Sequence, residues 1–82
     1  SDNNSAVIIG APNEGKASLL VSLGEAVIGA SGLSAVEIIK SVSVFINGGG
    51  GGQPFLATAG GKRPGGLSEA VEKAVSIVKK AF

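Results

Sequence analysis

Hydrophobic and polar positions change period along the chain. Ala6 to Ile9 form a short apolar run. Further on, Ala17, Leu19, Val21 and Leu23 alternate with Ser18, Leu20 and Ser22, the period-two pattern of a strand with one face in a core. Between them "GAPNEGK" is dense in turn formers, so the first part of the chain predicts a β-hairpin. Glu25 to Ile28, after Gly24, read as a further extended piece.

The period then lengthens. In "SGLSAVEIIKSVSVFING" the residues Val36, Ile39, Val42 and Ile46 fall on one helical stripe. Ser34 and Glu37 have the spacing of a capping box, with Leu33 and Ile38 as a hydrophobic staple. Asn47 and Gly48 supply the stop, since both accept left-handed backbone. After the glycines, Phe55 to Ala59 read as a short strand. "LSEAVEKAVSIVKKAF" is an amphipathic helix with Leu67, Val71, Ala74, Val75, Val78 and Phe82 on its apolar side. Lysines at its end agree with the helix dipole. These elements predict an α/β (α+β) fold: a small mixed sheet with an N-terminal hairpin and two main helices packed on it. Residues 1–5 are expected to be a disordered lead and 6–82 a single domain.

Composition narrows the chemistry. The 82 residues include no Cys, His, Met, Trp or Tyr, which removes disulfides, thiolate and imidazole metal sites, and Cys or His catalysis. A chain of this length buries only about 60–65% of its unfolded surface. Its high mean hydropathy, +0.42, suits a unit docked on a larger neighbour, and an opening "SDNNS" without Met is expected of a piece cut from a longer protein. No apolar run reaches the roughly 20 residues of a membrane span, and no signal-peptide pattern is present. Net charge is +1, unevenly spread. Lys16 stands against Asp2, Glu14, Glu25 and Glu37 in residues 1–37, whereas Lys40, Lys62, Arg63, Lys73, Lys79 and Lys80 outnumber Glu69 and Glu72 in residues 38–82. The basic half suits a polyanion, and scattered solubilising lysines are the plainer reading.

"GAPNEGKAS" matches the phosphate-loop pattern G-x-x-x-x-G-K at Gly10, Gly15 and Lys16. Ala17 stands where a Ser or Thr hydroxyl would bind magnesium, and the following residues alternate as a strand instead of opening a helix. A hairpin with an exposed Lys16 is therefore expected.

"GGGGGQPFLATAGG" is the unusual stretch. Five glycines in a row lose much entropy on ordering, so an ordered domain keeps them where backbone must be approached closely. The stretch resembles the C-terminal domain of alanyl-tRNA synthetases, the DHH-associated domain, in which a glycine run and Pro precede a small-residue "A-x-A-G-G"; here these are Gly48 to Gly52, Pro54, Ala57, Ala59, Gly60 and Gly61. The order of hairpin, helix, glycines and final helix also fits that family. DHH-type phosphoesterases place a histidine directly after the glycines; Gln53 stands there, which lowers the nuclease reading. Phe55 and Leu56 replace the Asp-Met often found after the proline.

The resemblance implies a fragment without catalysis of its own that holds the tRNA(Ala) elbow for aminoacylation and editing, in a cytoplasmic protein, with a mitochondrial or plastid version as the alternative setting. It implies no cofactor in the fragment, and ATP, magnesium and an editing-domain zinc in the parent ligase. Remaining synthetase domains are expected partners, DNA or another protein further ones, and no membrane. The candidate nucleic-acid-binding residues are Gly48, Gly49, Gly50, Gly51, Gly52, Gln53, Phe55, Gly60, Gly61, Lys62 and Arg63. In this reading the glycines form a nest-like loop, while Lys62 and Arg63 add charge beside free amides of Gly65, Gly66 and Leu67 at the start of the last helix. Base stacking falls to Phe45, Phe55 or Phe82, with Phe55 favoured. The alternatives are the nucleic-acid-binding substrate domain of a DHH-type phosphoesterase and a protein-docking module using the Leu67–Phe82 face.

Overall fold

The N-terminal alternation folds as a hairpin in the computed structural model, which describes residues 5–80. Strand β1 (Ala6–Asn13) pairs antiparallel with β2 (Lys16–Leu23), from Ala6 opposite Leu23 to Asn13 opposite Lys16. Glu14 and Gly15 join them at φ 49 and 78. Two successive left-handed residues make a type I′ turn, whose twist matches that of the strands. The G-x-x-x-x-G-K match is therefore a hairpin. Of the expected five-residue lead, residues 1–4 lie outside the described residues, and the Ser5 carbonyl accepts the Gly24 N–H at 2.8 Å.

The extended piece expected at Glu25 to Ile28 is instead helix α1 (Glu25–Ser31). Pairing explains the difference. β2 runs out of partners at Leu23, which sits opposite Ala6 and donates its N–H to the Phe55 carbonyl at 2.9 Å; further extended residues would have unpaired amides. Val27 turns into the core, and Gly32, at φ 72, ends the helix.

Helix α2 (Ala35–Val42) starts after Ser34 as the cap pattern predicts, but the Ser34 side chain makes no cap hydrogen bond. It buries Ala35, Ile38, Ile39 and Val42, a broader stripe than the sequence reading. A 3₁₀ turn, Ser43–Ile46, follows, and left-handed Asn47 (φ 54, ψ 51) stops it. The glycine run is strand β3 (Gly48–Gly52), paired antiparallel to β4 (Leu56–Gly61) across a Pro54–Phe55 turn closed by Gln53 and Leu56. A second 3₁₀ turn, Pro64–Gly66, leads into helix α3 (Leu67–Lys80). Leu67, Ala70 and Ala74 are its buried residues, with Val71, Ile77 and Val78 packed at the margin. The inward face thus includes Ala70 and Ile77 and leaves Val75 outside the cluster; Phe82 lies outside the described residues.

The sheet order is β1-β2-β4-β3, antiparallel throughout. Ala17, Leu19, Val21 and Leu23 of β2 and Ala57 and Ala59 of β4 face Ile38, Ile39, Val42, Ile46 and Ala74 in one core. The α/β architecture with a leading hairpin is the expected one. Among the described residues no single helix is long and apolar enough to cross a membrane.

Candidate nucleic-acid interface

Period-two strands present one face to the helices and the other outward. Register places the outward residues in rows crossing the sheet. Asn13 and Lys16 begin the hairpin end; Ala11, Ser18, Gly60 and Gly49 form the next row; Ile9, Leu20, Thr58 and Gly51 the third; Val7, Ser22 and Leu56 the fourth. Lys62 follows Gly61, the partner of Ala17, and lines one shallow depression with Lys16, Asn13 and Glu14. The uncovered face is therefore cationic at one end, small in the middle, and apolar at the other, where Val7 and Leu56 are exposed and Phe55 stands 54% exposed beyond them.

The glycines divide into two sets. At Gly48, Gly50 and Gly52 a Cβ would run into the backbone of Gly60, Thr58 and Leu56, and at Gly61 and Gly66 into the carbonyls of Ile46 and Phe45. These five allow strand and turn to pack closely. At Gly49 and Gly51 a Cβ would meet nothing within 4 Å, and at Gly60 only the Ala17 carbonyl at 3.9 Å. The fold has no steric need for these three, although glycine in a strand costs roughly 0.5–1 kcal/mol against alanine. All three lie on the uncovered face, Gly49 directly opposite Gly60.

The nest-like glycine loop is thus corrected to an extended edge strand, hydrogen-bonded in register from Gly48–Gly61 to Gly52–Ala57. Successive amides of a strand point to opposite sides, so they do not converge on one anion as a nest requires. Of the three free amides expected before α3, two are corrected: Gly66 N–H donates to the Arg63 carbonyl at 3.1 Å, and Leu67 N–H to that of Pro64. Charge at this end comes from side chains. Lys62 and Arg63 are exposed, and the Arg63 backbone is fixed by donation to the Ile46 carbonyl at 2.9 Å.

Lys62, Arg63, Gly60, Gly61, Gly48 and Gly49 gather at the hairpin end. Gly52, Gln53 and Phe55 stand at the other end of β3 and β4, with Gly50 and Gly51 between. Phe45 packs against the core, leaving Phe55 as the exposed aromatic among the described residues. Local pattern makes Lys16 only an exposed cation beside a turn; its place beside Lys62 depends on β2 pairing with β4, which no local pattern states.

The DHHA1 domain family matches residues 1–81. An alanine–tRNA ligase of Christiangramia forsetii is 45% identical over 73 residues, covering 89% of this chain and 8% of the relative. One of Lactobacillus delbrueckii subsp. bulgaricus is 50% identical over 70 residues (85% and 8%), and one of Lactobacillus helveticus is 43% identical over 81 residues (98% and 9%). The chain spans less than a tenth of the length of these relatives. The crystal structure of the C-Ala domain from Aquifex aeolicus alanyl-tRNA synthetase matches with a TM-score of 0.78 at 30% identity, covering 89% of this chain and 64% of that one.

Proposed function

The chain belongs to the DHHA1 domain family, and on that premise we propose that it is a non-catalytic tRNA-binding appendage of an alanine–tRNA ligase. The observation that carries this reading is the set Gly49, Gly51 and Gly60, side-chain-free where the fold does not demand it, with Gly49 and Gly60 at the end of the sheet that Lys62 and Arg63 follow. Backbone stripped of Cβ lets a ribose-phosphate come near main chain, and the two cations supply the electrostatic attraction that dominates nucleic-acid affinity. With Phe55 as the exposed aromatic among the described residues, recognition in this reading rests on shape and backbone, which suits the tRNA elbow. Gln53 in the position after the glycines and the similarity to alanine–tRNA ligases favour the synthetase over the phosphoesterase. ATP, magnesium and zinc chemistry, the other synthetase domains as partners, and a cytoplasmic setting belong to the proposed parent.

The test is the double variant Lys62→Ala with Arg63→Ala. Each phosphate contact contributes about 0.7–0.9 to the slope of log K against log salt, so the pair should lower the slope for tRNA(Ala) by roughly 1.5 and weaken binding. An unchanged slope excludes this end of the sheet.

A further inference from the structure

Four strands contribute one outward residue each to the row Ala11, Ser18, Gly60 and Gly49. None carries a side chain larger than a hydroxymethyl group. Lys16 and Lys62 border it on one side, with Arg63 following Lys62; Ile9, Leu20 and Thr58 border it on the other. Three strand spacings make the row roughly 14 Å long. Resting on the tRNA-binding reading above, we infer that this row is a transverse channel for one ribose-phosphate strand, crossing the uncovered face with its phosphates toward Lys16 and Lys62 and its riboses toward the Ile9 side.

Three observations converge. Alanine would fit at Gly60 and Gly49 without disturbing the fold, so their bareness keeps the floor low. Lys16 and Lys62 come from chain segments 46 residues apart, yet line the same depression. The channel runs across the strands, so it includes β1 and β2 instead of following the glycine edge alone. Glu14 also lines the cationic end, placing one carboxylate against Lys16 and Lys62 and leaving that end net positive. The channel therefore selects a polyanionic backbone over a neutral chain, and it makes Lys16 a phosphate contact.

Ser18→Leu and Gly60→Val plug the floor from two strands, and both positions are exposed. With melting curves as the folding control, each should weaken binding of tRNA(Ala) about tenfold or more. Lys16→Ala should lower the salt slope by about 0.7–0.9, and Lys40→Ala, exposed on α2, should not. If both plugged variants and Lys16→Ala bind as the parent does while Lys62→Ala/Arg63→Ala binds more weakly, the channel is refuted and the tRNA-binding reading stands. If the latter double variant also binds as the parent does, that reading fails and the channel with it. Ser18→Leu keeps the test open should Gly60→Val fold poorly.

Discussion

Alternate glycines of one strand should respond to the same substitution with opposite signs. At Gly50 a Cβ would meet the Thr58 carbonyl and lie 2.6 Å from both Cα and Cβ of Ala59. These are backbone and stub atoms that cannot rotate away. Forcing an extra carbon into a packed site costs about 1–3 kcal/mol, offset by about 0.4–1 kcal/mol gained because alanine restricts the unfolded chain. Gly50→Ala should therefore lose roughly 1–2 kcal/mol, which for a domain of this size lowers Tm by about 4–16 °C. At Gly51 nothing lies within 4 Å. Only the unfolded-state effect remains, and Gly51→Ala should gain about 0.4–1 kcal/mol, raising Tm by roughly 2–8 °C. Thermal unfolding followed by far-UV circular dichroism, with a urea titration for the free energies, measures both. Shifts of the same sign and similar size would refute the division of the glycines into two sets, and with it the claim that Gly51 is kept bare for something other than the fold.

Two further substitutions probe the frame around the site. Glu14 occupies the first left-handed position of the hairpin turn, at φ 49, so Glu14→Asn should stabilise by about 0.5–1 kcal/mol, read as a higher urea midpoint at constant m. Ile39, fully buried among both layers, should cost about 2–5 kcal/mol on truncation to alanine; a loss below 1 kcal/mol would mean the helix layer is not packed on β2 and β4 as described.

Where side chains carry the signal, the fold was legible in the sequence. The alternation Ala17 to Leu23 gave β2, the turn formers gave the hairpin, and Ser34 and Asn47 marked the two ends of the α2 unit. Misses fell where local pattern is mute. Five glycines carry no periodicity, so their extended state follows only from the partner β4, whose small residues Ala57, Ala59 and Gly61 accept a close neighbour. Glu25 to Ile28 has apolar residues suited to either state, and the absence of a further strand to pair with decides for helix. The site divides in the same way. Lys62, Arg63 and the glycines were legible as types, but the partition between glycines the fold needs and glycines it does not requires knowing what each Cβ would touch. Lys16 could not be assigned because its neighbour lies two strands away in the chain.

The two ends of the uncovered face set a requirement on the ligand. Between Phe55 and Lys62 lies all of β4, seven residue steps, or roughly 23 Å of extended chain. A short flexible oligonucleotide drawn to Lys16, Lys62 and Arg63 has no cationic reason to extend over the apolar end, whereas a rigid folded RNA held at one end is carried over the other. Phe55→Ala should therefore discriminate between ligands. A stacked aromatic is worth about 1–3 kcal/mol per base, so tRNA(Ala) should lose roughly 5–150-fold in affinity, with its salt slope unchanged because no phosphate contact is removed. A single-stranded hexanucleotide should bind the variant and the parent alike. Equal losses for both ligands would mean that the hexanucleotide itself reaches the apolar end and would refute the requirement for a rigid ligand, and no loss for either would restrict the interface to the hairpin end and assign Phe55, with Val7 and Leu56, to contact with protein.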